Sequence, residues 1–504
     1  ARMEGAKIFE KTPVTKILVK NKSIVGVETE KGKIDCEYVV LATGMWSRQI
    51  GEKINVSIPL YPNEHFYVIT EPMKDLPTNL PVLRDYNNCL YLKEDAGKML
   101  VGIFEPNAKP AFKDTGIVPE NFSFGELPDD FDHFEPYLKK SFHRLPMLEN
   151  AGIRKFFSGP ESFTPDTQYL LGETPEIKNF FTCCGFNSIG IASSGGAGRV
   201  TAEWMINGHI NEDLFSVDIK RFQQFHSSKK FIMERVTETL GDLYGMHWPY
   251  KQHKTSRNQI TLPYHEELKK LGACFGSSGG FERPMWYSLN GAKAEYEYSF
   301  GYQNWYPSAE YETKNTRKNV GLFELTPFSK FDVAGENVHD ELQKLCTANI
   351  KDVEGRSTYT QMLNEDGGIE TDVTITCLTK NHFRIIGPAA TREHDKFHIK
   401  KYLSEKINFK DVTEDFACLG LYGPNTRKLL SNISDDDFSN EGIKFSHGKK
   451  VNIDGIDVWA QRLSYVGEIG FELYVRIEDS KKLFLTIVNE GKNHNLSLCG
   501  AHAM

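Results

Sequence analysis

Hydrophobic and polar positions alternate along residues 14–43, where VTKILVK, IVGVETE and KIDCEYVVLATG are separated by the short polar turns NKS and KG. A period of two is the signature of half-buried antiparallel strands, because successive side chains point to opposite faces. The last segment changes character. YVVLAT is apolar throughout and ends at Gly44, which predicts a central strand of a covered sheet with a glycine at its carboxyl end. Ligands of open α/β sheets bind at that edge. HFYVIT, NCLYLKE and KMLVGIFE add strands between 57 and 105, and the acidic, aromatic stretch 126–150 predicts a helical pair. Strands return over 153–184, ending in FFTCC.

Residues 185–199 read GFNSIGIASSGGAGR, with five glycines. This predicts a tight strand-to-helix turn, with Ser193 or Ser194 capping a helix from about Gly196 to Asn207 and Gly208 closing it. Residues 219–276 are charged and helical around the loop WPYKQHKTSRNQ and read as a connector. Residues 277–504 alternate strands with amphipathic helices, an α+β pattern. The boundaries expected are therefore 1–218, 219–276 and 277–504.

Composition narrows the function classes. The chain has 504 residues, 25 % charged and 39 % hydrophobic, and a net charge of -8 with both signs interspersed. Nucleic acid is not expected as a partner, since phosphate binding needs a basic surface. No apolar run approaches the ~20 residues of a membrane span. Nine cysteines, with no CxxC pair, suggest free thiols. His226, His247, His253 and His265 lack metal-ligand spacing, so no metal is expected.

A glycine-rich turn that opens a helix is often only packing. The same geometry lets a ligand approach backbone N–H groups and the positive end of a helix dipole, which would stabilise a reduced flavin. No G-x-G-x-x-G fingerprint is present in the chain. His65 and Tyr91, each on a predicted strand, and Asp372, after the turn in NEDGGIETDVTI, are polar groups that could as easily be structural.

The wording is more specific. VVLATGMWSRQIG and the stretch from GPESFTPD to WMINGH resemble the flavin-contacting segments of the D-amino-acid-oxidase-like superfamily. Within it they are similar to the sarcosine and dimethylglycine dehydrogenase family. NEDGGIETDVTI and RLSYVGEIGFELYV resemble the folate-binding domain of glycine-cleavage T-protein.

The resemblance implies an α/β FAD-binding Rossmann-like domain with an antiparallel substrate sheet, a helical connector, and a T-protein-like α+β domain. It further implies that Gly44, Trp46, Gly185, Asn187, Gly190, Ser193, Gly195 and Gly196 contact FAD. His65 and Tyr91 would orient a methylated amine and help keep it unprotonated. Asp372 would sit beside the reacting nitrogens of tetrahydrofolate, with Tyr359 and Tyr465 lining the site. Glu468 would hydrogen-bond the pterin, with Glu472 as the alternative.

The activity implied is oxidation of sarcosine or dimethylglycine, with transfer of the one-carbon unit to tetrahydrofolate and an electron-transfer flavoprotein or oxygen as acceptor. A non-catalytic regulatory paralogue, of the type found with pyruvate dehydrogenase phosphatase, is the alternative. The compartment expected is the cytoplasm in a bacterium and the mitochondrial matrix in a eukaryote. Both ends read as cut through folded domains, with the first FAD grip upstream and the end of the folate domain downstream.

Overall fold

The computed structural model describes all 504 residues. It divides into two compact units, Ala1–His247 with His253–Ser256, and Trp248–Gln252 with Arg257–Met504. The residues of the expected connector, 219–276, fall partly in each unit.

The first unit opens with a meander of β1 (Val14–Lys20), β2 (Ser23–Thr29) and β3 (Gly32–Asp35). β4 (Val39–Leu41) and α1 (Ser47–Glu52) follow. A five-stranded antiparallel sheet is then built from β5 (Tyr61–Thr70), β6 (Leu83–Asp85), β7 (Leu90–Asp95), β8 (Lys98–Ile103) and, after α2 (Phe131–Arg144), β9 (Ile153–Phe163). Its order is β6-β7-β8-β5-β9. β10 (Leu170–Glu173), β11 (Phe180–Cys184), α3 (Gly190–Asn207) and α4 (Lys229–Asp242) complete the unit.

The alternation read in HFYVIT decides the sheet's two faces. Phe66 and Val68 turn to one side, where they pack with Leu90, Leu92, Val101 and Ile103 against Phe134 and Leu138 of α2. Fully burying each such side chain stabilises the fold by about 1.5–3 kcal/mol. Tyr61, His65 and Tyr67 take the other side. There α4 covers the Tyr61 end through Phe231, Ile232 and Val236, and Asn63 donates to the Val236 carbonyl at 2.6 Å.

Three expectations are corrected. The run YVVLATG is not a central covered strand. β4 has three residues, lies at the edge of the sheet β10-β11-β4, and leaves Val40 exposed; a short apolar run does not by itself separate edge from centre. The helical pair over 126–150 is one helix, α2, followed by a 3-10 turn, Pro146–Asn150. Pro146 forces Leu145 out of helical geometry, to φ -138° and ψ 85°. The helix expected from Gly196 starts at Gly190, so Ser193 and Ser194 lie inside it and do not cap it. Ser194 Oγ instead donates back to the Ile191 carbonyl. Gly208 closes the helix as expected, at φ 77°.

The second unit begins with α5 (His265–Lys270) and the hairpin β12 (Ala273–Ser278) and β13 (Phe281–Tyr287). Then come α6 (Tyr306–Lys318), β14 (Val320–Glu324), β15 (Ser329–Ala334), α7 (Val338–Leu345), β16 (Ser357–Leu363), β17 (Ile369–Thr379), β18 (His382–Gly387) and α8 (Arg392–Tyr402). β19 (Asn408–Asp411), β20 (Phe416–Tyr422), α9 (Thr426–Ile433), β21 (Gly448–Ile453), β22 (Ile456–Gln461), β23 (Gly470–Arg476), α10 (Ser480–Gly491) and β24 (Leu496–Cys499) end it. Two sheets result, β21-β22-β23-β20-β14-β24 and β16-β17-β18-β15-β19. Each has its own apolar core against helices, and a third cluster, including Phe323, Leu325, Cys418 and Tyr474, joins them. No helix of the chain is long and apolar enough to cross a membrane.

Candidate functional sites

In the first unit, β4 runs parallel to β11, with Leu41 beside Thr182. Gly44 and Gly185 therefore emerge at the same carboxyl edge of the sheet. Gly185 has φ 67°, and a Cβ there would meet Thr164 at 2.8 Å, so the turn requires glycine. Asn187 is 1 % exposed and ties the loop down: its Oδ1 accepts from Thr164 N at 2.9 Å and its Nδ2 donates to the Gly185 carbonyl. These bonds fix the shape of the turn.

Helix α3 starts without a side-chain cap at Ile189, and the faces of Gly195, Gly196 and Gly198 look into open space. Ile191 is 99 % exposed. An uncapped helix start with bare glycine faces and an uncovered isoleucine fits a flat, partly anionic ring system such as a flavin. Gly190 starts this helix and Ser193 lies in its first turn. Trp46 does not join them by its indole, which donates to the Pro119 carbonyl at 2.9 Å.

His65 and Tyr91 meet. His65 Nε2 lies 3.1 Å from Tyr91 Oη. Register explains the contact: Tyr91 on β7 and Tyr67 on β5 both pair with Gly102 on β8. A Cβ at Gly102 would fall 2.0 Å from the Tyr91 ring, so only glycine lets that ring lie across β8 toward His65. Burial pushes the Tyr91 phenol well above its usual pKa, which keeps it protonated. His65 Nδ1 faces Glu161 Oε2 at 4.0 Å. At that distance Nδ1 makes no hydrogen bond, and the Tyr91 phenol, kept protonated, is the donor facing Nε2. Glu161 also accepts from Ser188 Oγ at 2.9 Å, which links the glycine loop to His65. Phe104 packs against His65, and Tyr244 against Phe104, at centroid distances of 4.7 and 4.8 Å. Glu161 and Tyr244 were not picked out in the sequence. Glu161 stands inside the quoted GPESFTPD, two residues beyond Gly159, the cross-strand partner of His65.

In the second unit, a cavity of about 330 Å3 lies between the two sheets. Tyr359, Asp372, Tyr465 and Glu472 all line it, with Leu325, Phe328, Cys418 and Tyr474. Tyr359 Oη donates to Asp372 Oδ2 at 2.8 Å, and Tyr465 stacks on Phe328 at 5.4 Å. Glu472 is buried and accepts from Tyr474 Oη at 2.7 Å. Burial pushes its carboxyl up to about 7, against the pull of that hydrogen bond. Glu468 is elsewhere: it pairs with Arg317 at 3.0 Å and is not among the residues lining the cavity. The difference is one of periodicity. Glu472 lies on β23 with its side chain inward, whereas Glu468 precedes the strand in the turn containing Gly467. Polar groups at one end and apolar walls beside them fit a pterin, whose N–H groups suit a carboxylate. Tyr474, which alternation from Glu472 puts on the same face, is the site residue that went unread.

Three family models match consecutive stretches of the chain. The FAD dependent oxidoreductase family matches residues 1–204, its central domain 207–261, and the GCVT N-terminal domain 264–504. Human mitochondrial sarcosine dehydrogenase is 31 % identical, over 100 % of this chain and 59 % of that protein. The chain is thus similar along its whole length to a sarcosine dehydrogenase. 4-Methylaminobutanoate oxidase (formaldehyde-forming) of Paenarthrobacter nicotinovorans is 38 % identical, over 99 % of this chain and 60 % of that protein. The mitochondrial pyruvate dehydrogenase phosphatase regulatory subunit of Mus musculus is 32 % identical, over 100 % and 58 %. The chain thus spans about 60 % of the length of these relatives.

Proposed function

We propose that this chain carries out FAD-dependent oxidative N-demethylation of a small methylated amino acid, sarcosine or dimethylglycine, and passes the one-carbon unit to tetrahydrofolate. The observation that carries the reading is the His65–Tyr91 pair, held at 3.1 Å on an aromatic sheet face and linked through Glu161 to the glycine loop. FAD, when bound, supplies the hydride acceptor. Only an amine with a free lone pair can lose hydride from its N-methyl group. An ammonium form would pass its proton to Tyr91 Oη as the phenol proton moves to His65 Nε2, which leaves the amine neutral and oriented at Tyr91. The resulting iminium is an electrophile. Asp372, held by Tyr359, and Glu472 supply the polar end of a cavity in which the nitrogens of tetrahydrofolate would take up that carbon.

The relative named 4-methylaminobutanoate oxidase widens the substrates to be tried. The relative named as a regulatory subunit supports a second, non-catalytic reading. Anaerobic titration of the FAD-loaded protein with sarcosine, dimethylglycine and 4-methylaminobutanoate separates these. Bleaching of the oxidised flavin by one of them is the expected result and identifies the substrate. Bound FAD that none of them bleaches would sink the catalytic reading.

A further inference from the structure

The sheet that carries His65 and Tyr91 has a third chemically distinct group. Register places Arg84, Tyr91, Gly102, Tyr67 and Phe157 in one row across β6, β7, β8, β5 and β9. Cross-strand partners share a face, so Arg84 rises from the same face as Tyr91, at the β6 edge. Its neighbour Asp85 points the other way, buried and paired with Arg144. Arg84 itself is exposed and makes neither an ion pair nor a hydrogen bond. Its one polar contact is with a ring: the guanidinium carbon lies 5.9 Å from the Tyr244 centroid.

Tyr244 is the second, independent observation. It is 5 % exposed, and its hydroxyl has no hydrogen-bond partner. A buried hydroxyl left unpaired is costly, and one beside an unpaired cation calls for an acceptor. Burial raises this phenol to about 12, and the positive charge of Arg84 opposes the rise, so the two groups act on the same space. The Tyr244 ring is continuous with Phe104 and, through it, with His65.

We propose that Arg84 and Tyr244 are the carboxylate anchor of the substrate. The guanidinium and the phenol O–H both donate to its carboxylate, while the amine end sits at His65 and Tyr91. The inference rests on the N-demethylation reading and deepens it: the substrate must carry an acid as well as a methylated amine. Arg suits the role because its planar fork matches a carboxylate with two parallel N–H···O bonds. The same face offers Lys93, but it pairs with Leu100, one row farther from His65 than Tyr91 is.

The test compares the methylamino acid that bleaches the wild-type flavin with its carboxamide, which lacks the charge. In the FAD-loaded protein, Arg84→Met is expected to raise the dissociation constant of the acid roughly 10- to 100-fold and to leave that of the amide within a few fold. Arg84→Lys should recover part of the loss. Tyr244→Phe should weaken the acid several-fold without lowering the thermal midpoint, because it removes an unpaired hydroxyl and keeps the ring. Lys93→Met should change none of these. An acid-to-amide ratio in Arg84→Met equal to that of the wild type, with the wild-type flavin bleached, overturns the anchor alone. A wild-type flavin that no methylamino acid bleaches overturns the underlying reading, and the anchor with it.

Discussion

In the first unit the chemistry-bearing side chains stand on one face of a single sheet, whereas in the second they line a cavity between two sheets. The contrast shows in how polar groups are satisfied. His65, Tyr91 and Glu161 hold one another loosely along an aromatic strip, and the helix start beside them is uncapped. Around the cavity Asp372 and Glu472 are each held by a tyrosine hydroxyl, at 2.8 and 2.7 Å. A strip on one sheet face beside an uncapped helix start suits a site completed by a large bound ring system. A walled cavity suits a small electrophile that must meet one nucleophile before water does. On the reading proposed above, hydride removal uses one sheet face and one-carbon capture a cavity between two sheets, so each is expected to break alone.

The largest expected effect is at His65. His65→Ala should slow flavin reduction by about 10²- to 10⁴-fold in anaerobic stopped flow, the usual range for a positioned acid–base group. Binding of a folate analogue to the same variant should be unchanged. Loss of both would mean that the two sites are not independent.

Next is Gly102→Val. Its branched Cβ has no room beside the Tyr91 ring. Overpacking of this kind costs about 1–3 kcal/mol, read as a lower thermal midpoint. The kinetic defect should equal that of Tyr91→Phe. A normal reduction rate in Gly102→Val would show that the position of the Tyr91 ring does not matter.

How much of this was legible depended on the kind of signal. His65, Tyr91 and Asp372 could be read because distinctive residues stand in quoted wording with strand alternation around them. Their contacts could not, since the Tyr91–His65 approach depends on a glycine on a third strand. Glu468 and Glu472 look alike in GEIGFELY, and only the onset of β23 at Gly470 turns one inward and leaves the other in a turn. Gly190 and Gly195 read as turn residues yet lie within α3, because helix propensity yields to hydrogen bonding already established from Ile189.

Glu472 carries a pH signature. Its folded-state value is raised to about 7 from 4.5, so the protonated form favours folding. That stabilisation is fully present below about pH 4.5 and is lost as pH rises through about 7. Glu312, also raised to about 7 by burial, titrates in the same window, so the comparison must be with Glu472→Gln. The wild type should lose more stability than the variant between pH 5 and pH 8, measured by urea unfolding at each pH. Folate-analogue affinity should fall below about pH 7 in the wild type and be flat in the variant, because the pterin N–H groups need the ionised carboxylate. Parallel curves for both proteins would remove Glu472 from the site.

The smallest effect is at Glu468. Its pair with Arg317 is largely open to solvent on the arginine side, and Glu468→Gln should cost under about 1 kcal/mol. Folate-analogue affinity should not change. A tenfold loss would return Glu468 to the pterin.

The most direct measurement is a single turnover of Asp372→Ala in the FAD-loaded protein, with tetrahydrofolate present, following flavin bleaching and free formaldehyde together. The expected result is flavin reduction at the wild-type rate with formaldehyde released in place of the folate adduct. An unchanged partition between adduct and formaldehyde, or a flavin that no longer bleaches, would contradict two separable sites with one chemistry each.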